Sequence, residues 1–169
     1  ERKSAMSHSK RKSGSGYIFA IAVSALAVAI IAIILITSNS GDDGNIIKNS
    51  DLVIQTGDIT EKAKFYTVEI DGTRLEVLAV RASDNTVRTA FNTCQVCYSS
   101  GRGYYVQEGN FLVCQNCGNR FGTDDVEVTR GGCNPVPITE ENKTVTETTI
   151  TISKEFLSKA KAIFANWKR

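Results

Sequence analysis

All five cysteines of the chain fall within 40 residues: Cys94-Gln95-Val96-Cys97, then, after 16 residues, Cys114-Gln115-Asn116-Cys117, then, after 15 more, Cys133. Two C-x-x-C pairs at this separation point to a tetrathiolate metal site. Each short turn converges two sulfurs on one ion, and two turns complete a tetrahedron. Gly118 follows the second pair and tolerates a positive φ, which lets backbone N–H groups aim at the sulfurs. Tyr98 holds the matching place after the first pair, so the two turns are not equivalent. Disulfides are the structural alternative, but five is an odd number, and C-x-x-C neighbours rarely pair with each other for structure alone. Covalent c-type haem needs a histidine where Tyr98 and Gly118 stand. A thioredoxin-like pair needs a βαβ context that neither pair has.

Cys133 lies in Gly131-Gly132-Cys133-Asn134-Pro135-Val136-Pro137, which holds both prolines of the chain. Such a loop either buries a free cysteine in a turn or presents its thiol as a ligand or gate beside the centre. The only histidine, His8, lies in the N-terminal tail, so no imidazole joins the site. Arg88, Arg102, Arg120 and Arg130 are near the cysteines in sequence and either offset thiolate charge or serve as solvated surface groups. Thiolate tetrahedra accept both iron and zinc, and both stay open at this point. No general base, nucleophile–histidine pair or phosphate loop is visible, so hydrolytic and transferase chemistry has no candidate residues.

The chain between the two pairs must return to its starting point, and it reads as a hairpin: 103–107, a turn at Glu108-Gly109-Asn110, then 111–113. Upstream, Tyr66, Val68 and Ile70 alternate, Asp71-Gly72 is a two-residue hairpin turn, and 75–80 is the partner strand. A third strand, 87–91, follows the Ser83-Asp84-Asn85 turn, and 126–128 and 144–152 are further strand candidates. Asp58 and Glu61 have capping-box spacing, which predicts a short helical turn. Ser153 N-caps a predicted amphipathic helix with Phe156, Leu157, Ala160, Ile163, Phe164 and Trp167 on one face, packed onto the sheet. The ordered part, 58–169, is small and is expected to need a staple beyond its core.

Charge divides the chain. Residues 1–16 carry five Lys/Arg against Glu1, a net +4, whereas 41–169 carry 15 Lys/Arg against 17 Asp/Glu, a net −2. A slightly acidic body lacks the clustered cations that nucleic-acid binding requires. Residues 17–36 are an unbroken apolar run in which Ser24 is the only strongly polar member. As a helix, the run spans about 30 Å, the thickness of a bilayer core, and it is apolar all round. Basic residues before it and the polar stretch 38–43 after it put the N-terminus in the cytoplasm and the body outside. The run exceeds the ~7–15 residues of a signal-peptide core and lacks a small-x-small ending, so a retained anchor is expected. Residues 37–57, rich in Ser, Asn, Asp and Gly, read as a flexible tether. The expected organisation is therefore a basic cytoplasmic tail (1–16), a transmembrane anchor (17–36), a tether (37–57) and an extracytoplasmic cysteine-rich metal- or cluster-binding domain (58–169).

Three segments together, Phe91-Asn92-Thr93-Cys94-Gln95-Val96-Cys97, Cys114-Gln115-Asn116-Cys117-Gly118-Asn119-Arg120-Phe121 and the Cys133 loop, resemble the FtrD-like membrane iron–sulfur proteins of bacteria and archaea. The resemblance covers about residues 60–140, including the hairpin before the site. It implies a metal- or cluster-binding role for Cys94, Cys97, Cys114, Cys117 and Cys133. Some relatives are multi-span membrane proteins associated with iron uptake, and this chain departs from them in showing one span. The expected fold is a small β-rich (α+β) domain with a zinc-ribbon-like C-x-x-C…C-x-x-C hairpin and a C-terminal amphipathic helix, preceded by one transmembrane helix. The leading functional expectation is an iron–sulfur or mononuclear-iron electron-transfer component that supports iron acquisition with a membrane partner protein. Its rivals are a structural-zinc module that docks a membrane partner and a thiol–disulfide exchanger using Cys133. The expected topology has a direct check: with Ser40→Cys, a membrane-impermeant thiol label reacts in intact cells, and labelling only after lysis reverses the orientation.

Overall fold

A strand buried on both faces organises the domain. The computed structural model describes residues 46–169. The expected tail, the expected anchor and residues 37–45 of the expected tether lie outside the described residues, among which no helix is long and apolar enough to cross a membrane. Strand β4 (Thr73–Arg81) is buried from Leu75 through Val80. It is central in a five-stranded sheet of order β1 (Ile47–Lys48), β3 (Lys64–Ile70), β4, β5 (Val87–Cys94) and β9 (Pro135–Pro137), which explains the continuous apolar run 77–80 where one-sided burial would require alternation. Its hairpin partner β3 turns through Asp71 and Gly72, both at positive φ, as a two-residue loop with right-handed strand twist requires. Strand β5 continues the sheet, with β9 at one edge and β1, parallel to β3, at the other.

Each face of this sheet has its own core. On one side, Val68, Ile70, Leu75, Val77, Ala79 and Phe91 pack with Leu52, Ile54, Ile150 and Ile152. The latter four come from a second sheet, β10 (Thr144–Val145), β11 (Thr149–Ile152) and β2 (Leu52–Gln55). On the other side, Leu78, Val80, Ala90 and Cys94 pack with Tyr105, Leu112, Cys114, Phe121 and Val126. These belong in the main to a third sheet, β6 (Tyr105–Glu108), β7 (Phe111–Cys114) and β8 (Arg120–Gly122). The β6–β7 hairpin and the β3–β4–β5 meander therefore form as the hydrophobic pattern predicts.

Five expectations are corrected. Residues 52–55 are not tether. Leu52 and Ile54 are fully buried in β2, whose apolar alternation is hidden among Asn, Asp and Gly neighbours. The turn predicted to start at Asp58 is instead a 3₁₀ turn, Thr56–Asp58, that ends there. Residues 126–128 form no strand, because Glu127 adopts a φ of 66° and throws Val128 outward while Val126 stays buried. The 144–152 run is broken in two by a turn in which the Thr146 and Thr149 hydroxyls bond each other at 2.7 Å. Near the C-terminus, Ser153 Oγ accepts the Phe156 N–H at 3.2 Å, the expected cap. The helix it opens, α1, covers only Lys154–Lys159 and passes into a 3₁₀ turn at Lys161–Phe164. The apolar stripe packs on the first core all the same, with Phe91 stacked on Phe156 and edge to face with Phe164, both at ring distances of 5.8 Å. Because Ile54 is a core residue, Ile54→Ala is expected to cost about 2–5 kcal/mol, read as a lowered denaturant midpoint. A tether residue would show no change.

Candidate metal centre

Cys94 ends β5 and Cys114 ends β7, so each C-x-x-C turn begins where a strand stops. The two turns are locked at their first cysteines. Cys94 N–H donates to Gly103 O at 2.6 Å, Cys114 N–H to Asn119 O at 3.0 Å, and Gln115 N–H reaches across to Tyr104 O at 2.8 Å. They diverge after the second cysteine, as the sequence predicts. Cys117 is followed by Gly118 at φ 73°, whereas Cys97 leads into a 3₁₀ turn, Tyr98–Ser100, that ends on left-handed Gly101. Gly103 is forced by packing. A Cβ there would lie 2.6 Å from the Cys97 carbonyl carbon and oxygen, so glycine lets the returning chain pass over the first turn.

The Cys133 loop closes over both turns. Gln95 N–H donates to Asn134 O at 3.1 Å, Gly131 N–H to Gln95 Oε1 at 3.2 Å, and Asn119 Nδ2 to Cys133 O at 2.8 Å. Two successive glycines at φ 94° and 81° make the bend. At its base, Glu127 is ion-paired with the buried Lys143 amine, which also bonds Thr89 Oγ1. That amine belongs to the sequon-like Asn142-Lys143-Thr144, so a structural role accounts for its middle residue. All five thiols are free and meet in one cluster. Two overlapping groups, Cys94/Cys97/Cys114 and Cys97/Cys117/Cys133, each have sulfurs within 4.8 Å of one another, close enough to share an ion. Cys133 Sγ is 3.3 Å from Cys117 Sγ and 3.8 Å from Cys97 Sγ, so the fifth cysteine joins the second cysteine of each turn, while the four C-x-x-C sulfurs do not all lie within 4.8 Å of one another. Tetrahedral zinc with bonds of about 2.3 Å spaces its sulfurs roughly 3.8 Å apart, so these separations are of ligand scale.

The electrostatics divide the thiols: Cys94 and Cys117 are lowered, Cys114 and Cys133 raised. Burial pushes the Cys94 thiol up, but the Tyr105 hydroxyl, the N–H groups of Cys97 and Val96, and Cys133 outweigh it and leave it below the ordinary range. Burial holds Cys114 at about 12 against the pull of the Cys117 and Asn116 N–H groups. The pattern repeats in both turns: the N–H groups two and three residues after the first cysteine serve its sulfur. Cys117 is lowered to about 7, first by the Asn119 N–H and then by Cys133. Cys133 is raised, first by its contact with Cys117. Tyr105 Oη is buried beside the Cys94 sulfur, near enough to act on that thiol, but it makes no well-formed hydrogen bond to it or to any other described residue. Burial and the Cys94 sulfur beside it raise its pKa, and Cys114 and Cys133 add to the effect.

Cationic compensation is mostly absent. Arg88 is engaged by Asp84 and by the carbonyls of Asp124 and Val126. Arg120 pairs with Glu108 at 2.8 Å and lies over the Phe111 ring. Arg102 and Arg130 are exposed. Backbone N–H groups, which carry no residue-type signal, do the work expected of the arginines. Sequence reasoning also passed over Tyr105, Gln95, Asn119 and Glu127. For Tyr105 a signal existed, since the hairpin register places it opposite Cys114. The donor set is sulfur throughout, with aimed N–H groups and an orphaned hydroxyl in the same pocket, and it fits a thiolate-bound metal or iron–sulfur group.

The family described as membrane iron-sulfur containing protein FtrD-like matches residues 59–164, well over half of the chain, and the chain belongs to it. No curated protein matches the chain. The packing over Cys97 carries its own test. Gly103→Ala is expected to displace the first turn and lower stability by about 1–3 kcal/mol, measured by thermal melting. Gly72→Ala, which meets nothing within 4 Å, keeps only the cost of its positive φ.

Proposed function

We propose that this FtrD-like protein is a membrane-anchored electron carrier, its domain outside the membrane, whose cysteine centre holds iron and supports iron acquisition. The single observation that carries the reading is the convergence of all five thiols in one pocket, in a chain whose family is named for membrane iron–sulfur proteins. Cys94, Cys97, Cys114 and Cys117 are the ligands assigned to the centre, with Cys133 a fifth sulfur at its rim. A bound iron–sulfur group supplies reversible one-electron chemistry. The chain's own part is to set where and how readily this occurs. The N–H groups of Val96, Cys97, Asn116, Cys117 and Asn119 stabilise negative sulfur, and such bonds, with burial, tune the potential. Burial falls from Cys94 and Cys114 to the exposed Cys117, so one side of the pocket opens to a redox partner. The anchor and the polarity of its flanks are the sequence features that support an extracytoplasmic domain.

The test is anaerobic purification of the full chain in detergent, followed by metal analysis and a visible spectrum. Iron with thiolate-to-metal absorption is expected. A colourless protein with one zinc per chain overturns electron transfer in favour of a structural-zinc module. Cys133→Ser sharpens the outcome. The variant is expected to fold but to show an altered potential, spectrum or stability to air. Unchanged metal content and stability match zinc closed by the other four thiolates. A trapped mixed disulfide matches a thiol exchanger, for which the 3.3 Å Cys117–Cys133 contact is suited.

A further inference from the structure

Among the described residues, only two buried side-chain polar atoms meet no hydrogen-bond partner, and one of them is the Tyr105 hydroxyl in the sulfur pocket. A buried hydroxyl without a partner is costly, so its retention asks for an acceptor. The side chains that share its core are Leu78, Val80, Ala90, Leu112, Phe121, Val126 and the cysteines, and of these only sulfur can accept. The ring is held there from behind. Tyr105 N–H donates to Asn92 Oδ1 at 2.7 Å, and Asn92 Nδ2 donates back to Tyr105 O at 3.3 Å. Asn92 is in turn held by Glu76, by its neighbours in β5 and, through its carbonyl, by Trp167 Nε1 at 2.8 Å. Glu76 meets Lys168 Nζ at 3.2 Å. Two strands and the C-terminal segment thus fix the main chain of a residue whose hydroxyl has nothing to bond.

We propose that Tyr105 is a positioning residue for the metal centre: its hydroxyl donates a hydrogen bond to a ligating sulfur, Cys94 foremost, once that sulfur is held as thiolate by a bound metal. The inference rests on the reading of the cysteines as a metal site, but not on which metal occupies it. As the chain stands, the hydroxyl meets no acceptor. In the loaded protein the acceptor is anionic, and the bond stabilises it. The hydroxyl therefore works against the metal-free fold and for the bound state. With iron bound, a donor to sulfur favours the more negative, reduced form, so it raises the potential.

Tyr105→Phe removes only the oxygen and is compared with the parent as full chain in detergent, reduced and under argon. Zinc affinity, measured by competition with a chromophoric chelator, is expected to fall about 10–100-fold, as for other groups that hydrogen-bond metal ligands. The metal-free variant is expected to melt at the same temperature as the parent or higher. If the purified parent carries iron, the variant's midpoint potential is expected to lie lower. Equal zinc affinity overturns the proposal, and so does a metal-free variant that melts lower, since the oxygen then serves the fold. If the parent binds neither metal, the reading of the pocket as a metal centre falls first, and the Tyr105 proposal with it.

Discussion

Five sulfurs gathered in one largely apolar pocket are the constraint on which this structure turns. Five thiols meet beside Leu112, Phe121 and Val126, and any thiolate formed among them is an ion in a largely apolar site. Taking unpaired charge out of water is prohibitive, so the charge has to be met by dipoles or by a bound ion. The chain meets it with its own backbone. Each C-x-x-C turn starts at the end of a strand, where N–H groups are released from the ladder and can aim at sulfur. That requirement accounts for Gly118 beyond the second turn, while close packing accounts for Gly103 against the first, and main-chain bonds to Gly103 and Asn119 lock Cys94 and Cys114 in place.

The two-faced central strand lets one small domain hold both a conventional core and a polar site. Val77 and Ala79 serve the aliphatic core, while Leu78 and Val80 form the floor on which the cysteine sheet lies. Strand β5 carries the division to the centre itself. Phe91 stacks among the aromatics of the C-terminal segment, and Cys94, three residues on and past a bulge, faces the sulfurs. The C-terminal segment then ties back to the first turn. Lys168 N–H donates to Gly101 O at 2.8 Å, and Asn166 Nδ2 reaches Ser99 O at 3.3 Å. Stability of the aliphatic core and order at the first C-x-x-C turn are therefore linked through one strand and one terminal segment.

The Cys133 loop is built differently from the two turns. It precedes a strand where the turns follow one: β9 pairs Pro135 with Cys94, Gln95 and Asn119 hold the loop's main chain, and Lys143 meets Glu127 upstream of it. The fifth sulfur thus stands next to the exposed Cys117, while Cys94 and Cys114 on the buried side end strands of the sheets.

The sequence by itself determined the ligand type, the two turns, the hairpins around Asp71-Gly72 and Gly109-Asn110, the cap at Ser153 and the family. All of these depend on local spacing, on short-range turn chemistry or on residue identity. It did not determine what only distant contacts decide. Leu52 and Ile54 belong to the core because β11 pairs with them from nearly 100 residues away, and the polar residues around them mask the pattern. Glu127 leaves strand geometry because a lysine 16 residues on draws its carboxylate inward. Cys133 joins the second cysteine of each turn because two side chains on separate turns grip its loop. The arginines near the cysteines are engaged elsewhere, and unlabelled backbone groups take their place. Sequence proximity shows which charges are available; only the folded chain decides which dipoles are close enough to act.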